Sequence, residues 1–164
     1  MMAELEKRIW KALEEVYDPE IPKLSLVDLG VVTDVSISDE QNISVTITPT
    51  FAGCPAIHYM QESIKEVVAL QCNVSTVEVH VSFEHPWNSN KITDKGRTIL
   101  QQSGFAPPPK HNGYIELTVL ENVPCPFCGS KNTNLQTPFG PTLCRSIHYC
   151  NSCLQAFEQF KPLA

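Results

Sequence analysis

The sequence lacks several features that would assign it to a broad class of protein. No apolar run approaches the length needed to cross a bilayer, and the N-terminus lacks the basic and apolar segments of a secretory signal. Positive charge is also scarce, since 12 basic side chains oppose 18 acidic ones, and they form no stripe that could neutralise phosphates. We therefore expect a cytoplasmic protein with no membrane partner and no nucleic-acid partner.

Common catalytic arrangements are missing as well. The sequence has no Ser–His–Asp array, no glycine-rich loop that could cradle phosphates and no pair of helical Glu-x-x-His motifs. The chain on its own therefore has no obvious means to activate oxygen or to transfer phosphate.

Cysteine, by contrast, is abundant, with seven residues in a chain of 164. Disulfides do not persist in a reducing cytosol, so metal binding and thiol chemistry explain this number better. Cys125 and Cys128 form one Cys-x-x-Cys knuckle, and Cys150 and Cys153 form a second. Two knuckles supply four thiolates to one tetrahedral ion, so the spacing predicts a structural zinc site. Iron in a rubredoxin-like site is the competing prediction, although the second knuckle lacks the proline and glycine of the first.

Hydrophobic periodicity before the knuckles predicts a small α/β (α+β) sandwich of order αββαβα, in which helices cover a small sheet. Asn90 or Thr93 could cap the last helix. The helices are expected over residues 4–17, from Pro55 onward and up to Gly104, and the strands over residues 31–37, 43–47 and 77–83.

A proline-rich segment follows the predicted sandwich. Residues 105–110 read Phe-Ala-Pro-Pro-Pro-Lys, which is typical of a stiff polyproline joint. We expect a first domain over residues 1–104, a linker over residues 105–113 and a β-rich zinc ribbon over residues 114–164 that begins with a strand at 114–120. So small a ribbon needs its metal to fold, because its few large apolar residues cannot offset chain entropy.

Cys54 lies in a Gly-Cys-Pro turn, the densest cluster of unusual residues in the first domain. Because Pro55 suits the first position of a helix, we expect Cys54 to be the N-cap, where backbone N–H groups and the helix dipole favour thiolate. His58 would lie on the same helical face and could share a metal. Asp18 and Glu20 could orient this region or only solvate a loop. The alternative is that Cys54 merely fills a turn and His58 is a surface side chain.

Three motifs in order over about the first hundred residues resemble the SufT-like iron–sulfur assembly domain. They are Asp18-Pro19-Glu20-Ile21-Pro22, the stretch from Leu26 to Val32, and Thr48-Pro49-Thr50 with Gly53-Cys54-Pro55-Ala56. The resemblance implies that Cys54 is the prime functional residue, a transient thiolate ligand for iron or an iron–sulfur cluster. It also implies supporting roles for Asp18 and Glu20.

The rest of the chain resembles the D-subunit family of bacterial phenylacetyl-CoA epoxidase systems, on the basis of Trp87, residues 92–97, residues 104–108 and the ribbon with residues 139–144. This resemblance implies an accessory protein of aerobic phenylacetate degradation, not an enzyme. Its implied partners are the diiron oxygenase subunits or the flavin and iron–sulfur reductase. Cys144, by position simply a buried apolar residue, becomes an extra thiol that could act as a fifth ligand or a transient thiol.

Three functions remain open at this point. The leading one is a maturation factor for iron–sulfur or iron centres, with zinc in the ribbon and iron or a cluster held transiently at Cys54. The second is a non-catalytic subunit that stabilises the oxygenase complex by contact alone. The third is a thiol enzyme with Cys54 as nucleophile and His58 as base, which lacks an orienting third group. An exposed sheet edge or the ribbon could also support a homodimer.

Overall fold

The computed structural model describes residues 2–39 and 42–164. Contacts within the chain group into two compact units, Met1–Trp87 and Asn88–Ala164. Within the described ranges, no helix combines the length and the apolar character that a bilayer span requires.

The first unit is a three-stranded sheet with two helices. Its elements are α1 (Met2–Leu13), β1 (Val32–Asp39), β2 (Asn42–Ile47), α2 (Ile57–Cys72) and β3 (Thr76–Val81). The strand order is β1-β2-β3, where β1 pairs antiparallel with β2 and β2 pairs parallel with β3. Helix α2 is therefore the crossover of a βαβ unit. The predicted hairpin and third strand are confirmed, and Ile43, Val45 and Ile47 of β2 are buried at 2% exposure or less.

Helix α1 is shorter than the periodicity predicts. The helix expected over residues 4–17 ends at Leu13. After that point the Val16 N–H bonds to the Leu13 carbonyl at 3.1 Å, which is the spacing of a tighter turn, and Tyr17 forms an antiparallel bridge with Ser25. The apolar spacing continues through Val16 because this residue is buried, at 2% exposure, without being helical.

The second unit is a four-stranded sheet with one α-helix. Its elements are α3 (Asp94–Gln102), β4 (Phe105–Ala106), β5 (Thr133–Thr137), β6 (Arg145–Cys150) and β7 (Ala156–Phe160). The strand order is β4-β7-β6-β5, with β4 parallel to β7 and the other pairs antiparallel. Thr93 is the N-cap of α3, because its hydroxyl accepts the Gly96 N–H at 2.9 Å.

Two local predictions in this unit are wrong. Residues 114–120 form no strand: a 3-10 helix spans Leu117–Leu120, and the Val119 N–H bonds to the nearby Glu116 carbonyl. The alternating apolar pattern of residues 114–120 does not mark a buried strand face, since Tyr114 is 83% and Leu117 is 85% exposed to solvent. Phe105 and Ala106 do not form a polyproline joint but the strand β4, because β7 offers its edge for pairing.

The contacts divide the chain between Trp87 and Asn88, whereas the sequence predicts a boundary at residues 105–113. The difference arises because elements before the proline run pack with the ribbon strands. Strand β4 pairs with β7, and the Arg97 guanidinium of α3 donates to the carbonyls of Pro108 and Ser89. That residues 1–104 form one folding domain stays a prediction.

Candidate metal centre and thiol site

Four cysteine sulfurs gather in the second unit. Cys125 and Cys128 lie in the turn that precedes β5, while Cys150 ends β6 and Cys153 lies in the turn before β7. The Sγ atoms of Cys125 and Cys153 are 3.7 Å apart, those of Cys128 and Cys150 are 3.6 Å apart, and all four lie within 4.8 Å of one another. The two predicted knuckles therefore form one four-cysteine metal-binding group.

The backbone repeats the same turn at both knuckles. In the first, the Gly129 N–H bonds to the Cys125 carbonyl at 2.8 Å; in the second, the Leu154 N–H bonds to the Cys150 carbonyl at 2.9 Å. Both Gly129 (φ 74°) and Leu154 (φ 60°) have left-handed backbones. The two knuckles thus differ in sequence but not in backbone, so the missing glycine does not argue against iron.

Backbone donors and burial act in opposite directions on the thiols of this group. The pKa of Cys150 is lowered to about 6, chiefly because the backbone N–H of Cys153 bonds to its sulfur. The pKa of Cys153 is raised to about 12, first by burial and then by the neighbouring sulfurs. Four thiolates that close together repel one another, and a divalent cation offsets that repulsion.

The donor set fits zinc. A tetrahedral ion with Zn–S bonds of about 2.3 Å requires sulfurs about 3.8 Å apart, close to the measured 3.6 and 3.7 Å. The two turns are joined by hydrogen bonds, among them Asn151 N–H to the Asn132 carbonyl at 2.9 Å and Ser130 to Ser152 at 2.8 Å. The apolar cluster around the sulfurs is small, so apolar packing adds little to these bonds. Its buried members are Ala106, Val123, Cys125, Cys150 and Phe157.

Cys144 and His148 lie between the knuckles but outside the four-sulfur group. Cys144 is buried, with its sulfur 3.1 Å from the Thr142 hydroxyl. His148 is fully buried, with Nε2 at 2.9 Å from the Ser146 hydroxyl and its ring stacked on Phe157. Burial lowers the pKa of His148. A role for Cys144 as an extra thiol stays a prediction.

Sequence reasoning missed Arg145. The Arg145 residue is 6% exposed, and its guanidinium pairs with the Glu158 carboxylate at 3.0 Å and lies 4.9 Å from the centre of the Phe105 ring. It thereby links β6, β7 and β4. No local motif signals such a contact, because the partners come from two other strands.

Cys54 is not the N-cap of α2. The N-cap is Ala56, and the helix begins at Ile57. Cys54 lies one turn earlier: its N–H bonds to the Phe51 carbonyl at 3.2 Å, and its carbonyl accepts the Ile57 N–H at 3.4 Å. The N-cap prediction fails because Pro55 lies in the turn that precedes the helix and not at the first position of the helix. The Cys54 residue is half-buried.

The topology nevertheless places Cys54 at a typical ligand-binding edge. The β2–α2 loop leaves the sheet at the carboxyl ends of the parallel strands β2 and β3, ahead of the N-terminus of α2. Two backbone bonds hold the start of this loop, from Thr48 N–H to the Val31 carbonyl at 2.8 Å and from Ser82 N–H to the Ile47 carbonyl at 2.9 Å. In α/β units this edge and the helix N-terminus favour ligands and anions, thiolate included.

Three further candidate residues lie in the first unit. Asp18 Oδ1 accepts the backbone N–H groups of Glu20 and Ile21, both at 2.9 Å, so this carboxylate shapes its own loop, and Glu20 is exposed. His58 is exposed on the first turn of α2. The pKa of the nearby Glu62 carboxyl is lowered mainly by Lys65 and to a smaller extent by His58.

Metal-ligating side chains gather in a group of three or more only at the ribbon cysteines, as far as residues 2–39 and 42–164 are concerned. Cys54, Asp18, Glu20 and His58 form no second group of this kind there. Their roles in transfer remain predictions.

Comparison with known proteins establishes the family. The model of the PaaD zinc beta ribbon domain matches residues 111–161, and that of the iron–sulfur cluster assembly protein family matches residues 6–81. An Escherichia coli K12 protein, named as the D-subunit of a "Putative 1,2-phenylacetyl-CoA epoxidase", is 34% identical over 153 residues, which cover 93% of this chain and 90% of that protein. The chain belongs to the PaaD family.

The first part of this PaaD-family chain also has shorter relatives. The Bacillus subtilis "Fe-S protein maturation auxiliary factor YitW" is 33% identical over 96 residues, which cover 58% of this chain and 93% of that protein. The crystal structure of a domain of unknown function, DUF59, from Bacillus anthracis matches with a TM-score of 0.56 and 29% identity, over 60% of this chain and 92% of that one. Both resemblances seen in the sequence are thereby confirmed at the level of family and fold.

Proposed function

We propose that this PaaD-family chain is an accessory protein of aerobic phenylacetate degradation that helps to mature an iron–sulfur or iron centre of the phenylacetyl-CoA epoxidase complex. The observation that carries the proposal is the joining of two matches in one chain. Residues 6–81 match an iron–sulfur assembly family, and residues 111–161 match the PaaD ribbon. The first match supports a role in iron–sulfur assembly, and the second supports the epoxidase complex as the recipient of the metal centre.

Cys54 is the residue through which iron or a cluster passes. A carrier thiol must bind its cargo and also release it, which suits a single half-buried cysteine better than a closed set of four. Cys54 lies before the N-terminus of α2, the end of a helix that attracts anions. His58 is exposed on the next turn, and Asp18 and Glu20 supply further ligands or shape the entry to the site.

The ribbon has a different role. Its four cysteines hold zinc as a permanent structural ion, and the folded ribbon presents a surface to the oxygenase or reductase subunits. Zinc has no redox chemistry of its own, so bound there it supplies stability rather than reactivity. The chain itself is not an enzyme under this proposal.

The test compares wild type with Cys54→Ala after anaerobic purification, by metal analysis, absorption spectroscopy and the iron content of a co-expressed epoxidase. Cys72→Ala is the matched control, because Cys72 is buried at the far end of the same helix. We expect zinc in all three proteins. We expect iron or cluster absorption, and normal loading of the epoxidase, in wild type and Cys72→Ala but not in Cys54→Ala.

Two results would contradict the transfer role. One is normal iron loading of the epoxidase with Cys54→Ala. The other is zinc in every protein and iron in none, even after reconstitution. Either result would favour the non-catalytic subunit that stabilises the oxygenase complex by contact.

A further inference from the structure

We propose that the four-cysteine site is a redox-sensitive device in which a peroxide-class oxidant releases the metal and forms two disulfides between the knuckles, Cys125–Cys153 and Cys128–Cys150. This proposal rests on the metal-loaded ribbon of the proposed function. It does not rest on Cys54 or on transfer of iron.

The pairing follows from which sulfurs are in contact. Two sulfur–sulfur contacts, of 3.7 and 3.6 Å, each join one cysteine of the first knuckle to one of the second. Both pairs are near van der Waals contact, and formation of a disulfide would shorten the sulfur–sulfur distance to about 2.05 Å.

Access to solvent is divided within each pair. Cys128 is exposed and Cys153 is half-buried, whereas Cys125 is 1% and Cys150 is 0% exposed. Each of these pairs thus combines a cysteine that is at least partly exposed with one that is buried. This is the arrangement of an attacking thiolate and a resolving thiolate.

The chemistry balances with hydrogen peroxide as the oxidant. The accessible thiolate attacks one peroxide oxygen, the O–O bond breaks, and a sulfenic acid and a hydroxide ion form. The buried thiolate then attacks the sulfenic sulfur, the S–S bond forms, and a second hydroxide leaves. Formation of each disulfide transfers two electrons from a pair of thiolates to one peroxide molecule. Two peroxide molecules therefore consume all four thiolates, and the divalent ion is left without ligands.

Disulfides between the knuckles have a structural consequence that disulfides within each knuckle lack. They join the turn before β5 to the turn between β6 and β7, which is the connection that the metal otherwise provides. The oxidised ribbon should therefore stay folded without metal. The reduced ribbon should lose its structure when the metal is removed, because the apolar cluster around the sulfurs has only five buried members.

The experiment titrates the zinc-loaded full chain with hydrogen peroxide. Released zinc is measured with a chromogenic chelator, disulfides by peptide mapping, and the fold by circular dichroism with EDTA present. Cys144→Ser is the matched control, since Cys144 is a ribbon cysteine outside the four-sulfur group. We expect zinc release to follow formation of the two ribbon disulfides, with about two disulfides formed for each zinc ion released in both proteins. We also expect the two disulfides between knuckles, and a fold that resists EDTA only after oxidation.

Three results would overturn the proposal. They are retention of zinc under excess peroxide, disulfides within the knuckles (Cys125–Cys128 and Cys150–Cys153), and loss of the fold on oxidation. A chain that holds no zinc at the outset would overturn the metal assignment of the ribbon as well. The iron content of Cys54→Ala is independent of all these readouts, so failure of the redox device and failure of the transfer function are distinguishable.

Discussion

Replacing Trp87 by phenylalanine tests what holds the first unit together next to the Cys54 loop. The Trp87 side chain is 3% exposed, and its Nε1–H donates to the Leu29 carbonyl at 3.0 Å. Two residues further on, the Val31 carbonyl accepts the N–H of Thr48, where the loop to Cys54 begins. Trp87 therefore supports the backbone against which this loop is anchored.

The expected loss of stability has two contributions, a lost hydrogen bond and a cavity. Phenylalanine leaves the buried Leu29 carbonyl without this donor, which costs about 1–3 kcal/mol, and its smaller ring leaves a cavity worth about 1–2 kcal/mol more. We expect Trp87→Phe to lower the free energy of unfolding of the first unit by about 3 kcal/mol. Trp10→Phe is the matched control, because Trp10 on α1 is only half-buried, and about 1 kcal/mol is expected there.

Urea unfolding followed by tryptophan fluorescence measures both variants. Trp10 and Trp87 are the two tryptophans of the chain and both lie in the first unit, so the one that remains reports on that unit in each variant. A Trp87→Phe midpoint equal to that of wild type would refute the reasoning. Equal losses in the two variants would show that the bond to Leu29 makes no specific contribution.

Two further predictions concern the knuckles and the buried thiol of α2. Leu154→Gly should stabilise the metal-loaded ribbon by about 1 kcal/mol, because glycine adopts the left-handed backbone of this position without strain. Little burial is lost, since Leu154 is 69% exposed. Gly129→Ala should lower the stability of the ribbon by a similar amount, and thermal unfolding measures both variants. An unchanged or lower midpoint for Leu154→Gly would contradict this. Burial raises the pKa of the Cys72 thiol, so iodoacetamide at pH 8 should modify Cys54 well before Cys72, with the difference narrowing as pH rises and Cys72 ionises. Equal rates at pH 8, followed by mass spectrometry, would contradict the assigned burial.

Some features of this protein could be predicted because they depend on residues close together in the chain. The Cys-x-x-Cys knuckles are local turns, so their spacing alone indicates the four metal ligands. Alternation marks β1, β2 and β3 correctly, and the burial pattern follows it most clearly in β2, where Ile43, Val45 and Ile47 are buried. The cap of α3 at Thr93 also follows from a local bond, to the backbone three residues on.

Predictions fail where a distant partner or a competing turn decides the structure. The alternation at residues 114–120 predicts a strand, although no sheet edge takes up those residues. The prolines after residues 105 and 106 predict a joint there, although β7 pairs with both residues. Pro55 predicts that Cys54 is an N-cap, since the sequence does not reveal the additional turn before Ile57.

The sequence by itself determined the family, the four ribbon ligands and the order of the main elements, because these depend on motifs and on local periodicity. Only the tertiary structure decided which sulfurs touch across the knuckles, how Arg145 joins three strands, and that the Cys54 loop leaves the sheet at its parallel carboxyl edge. The physical reason is that these arrangements depend on strand pairing and on burial between segments far apart in the chain. Such contacts form only when the whole unit has folded, and no local pattern encodes them.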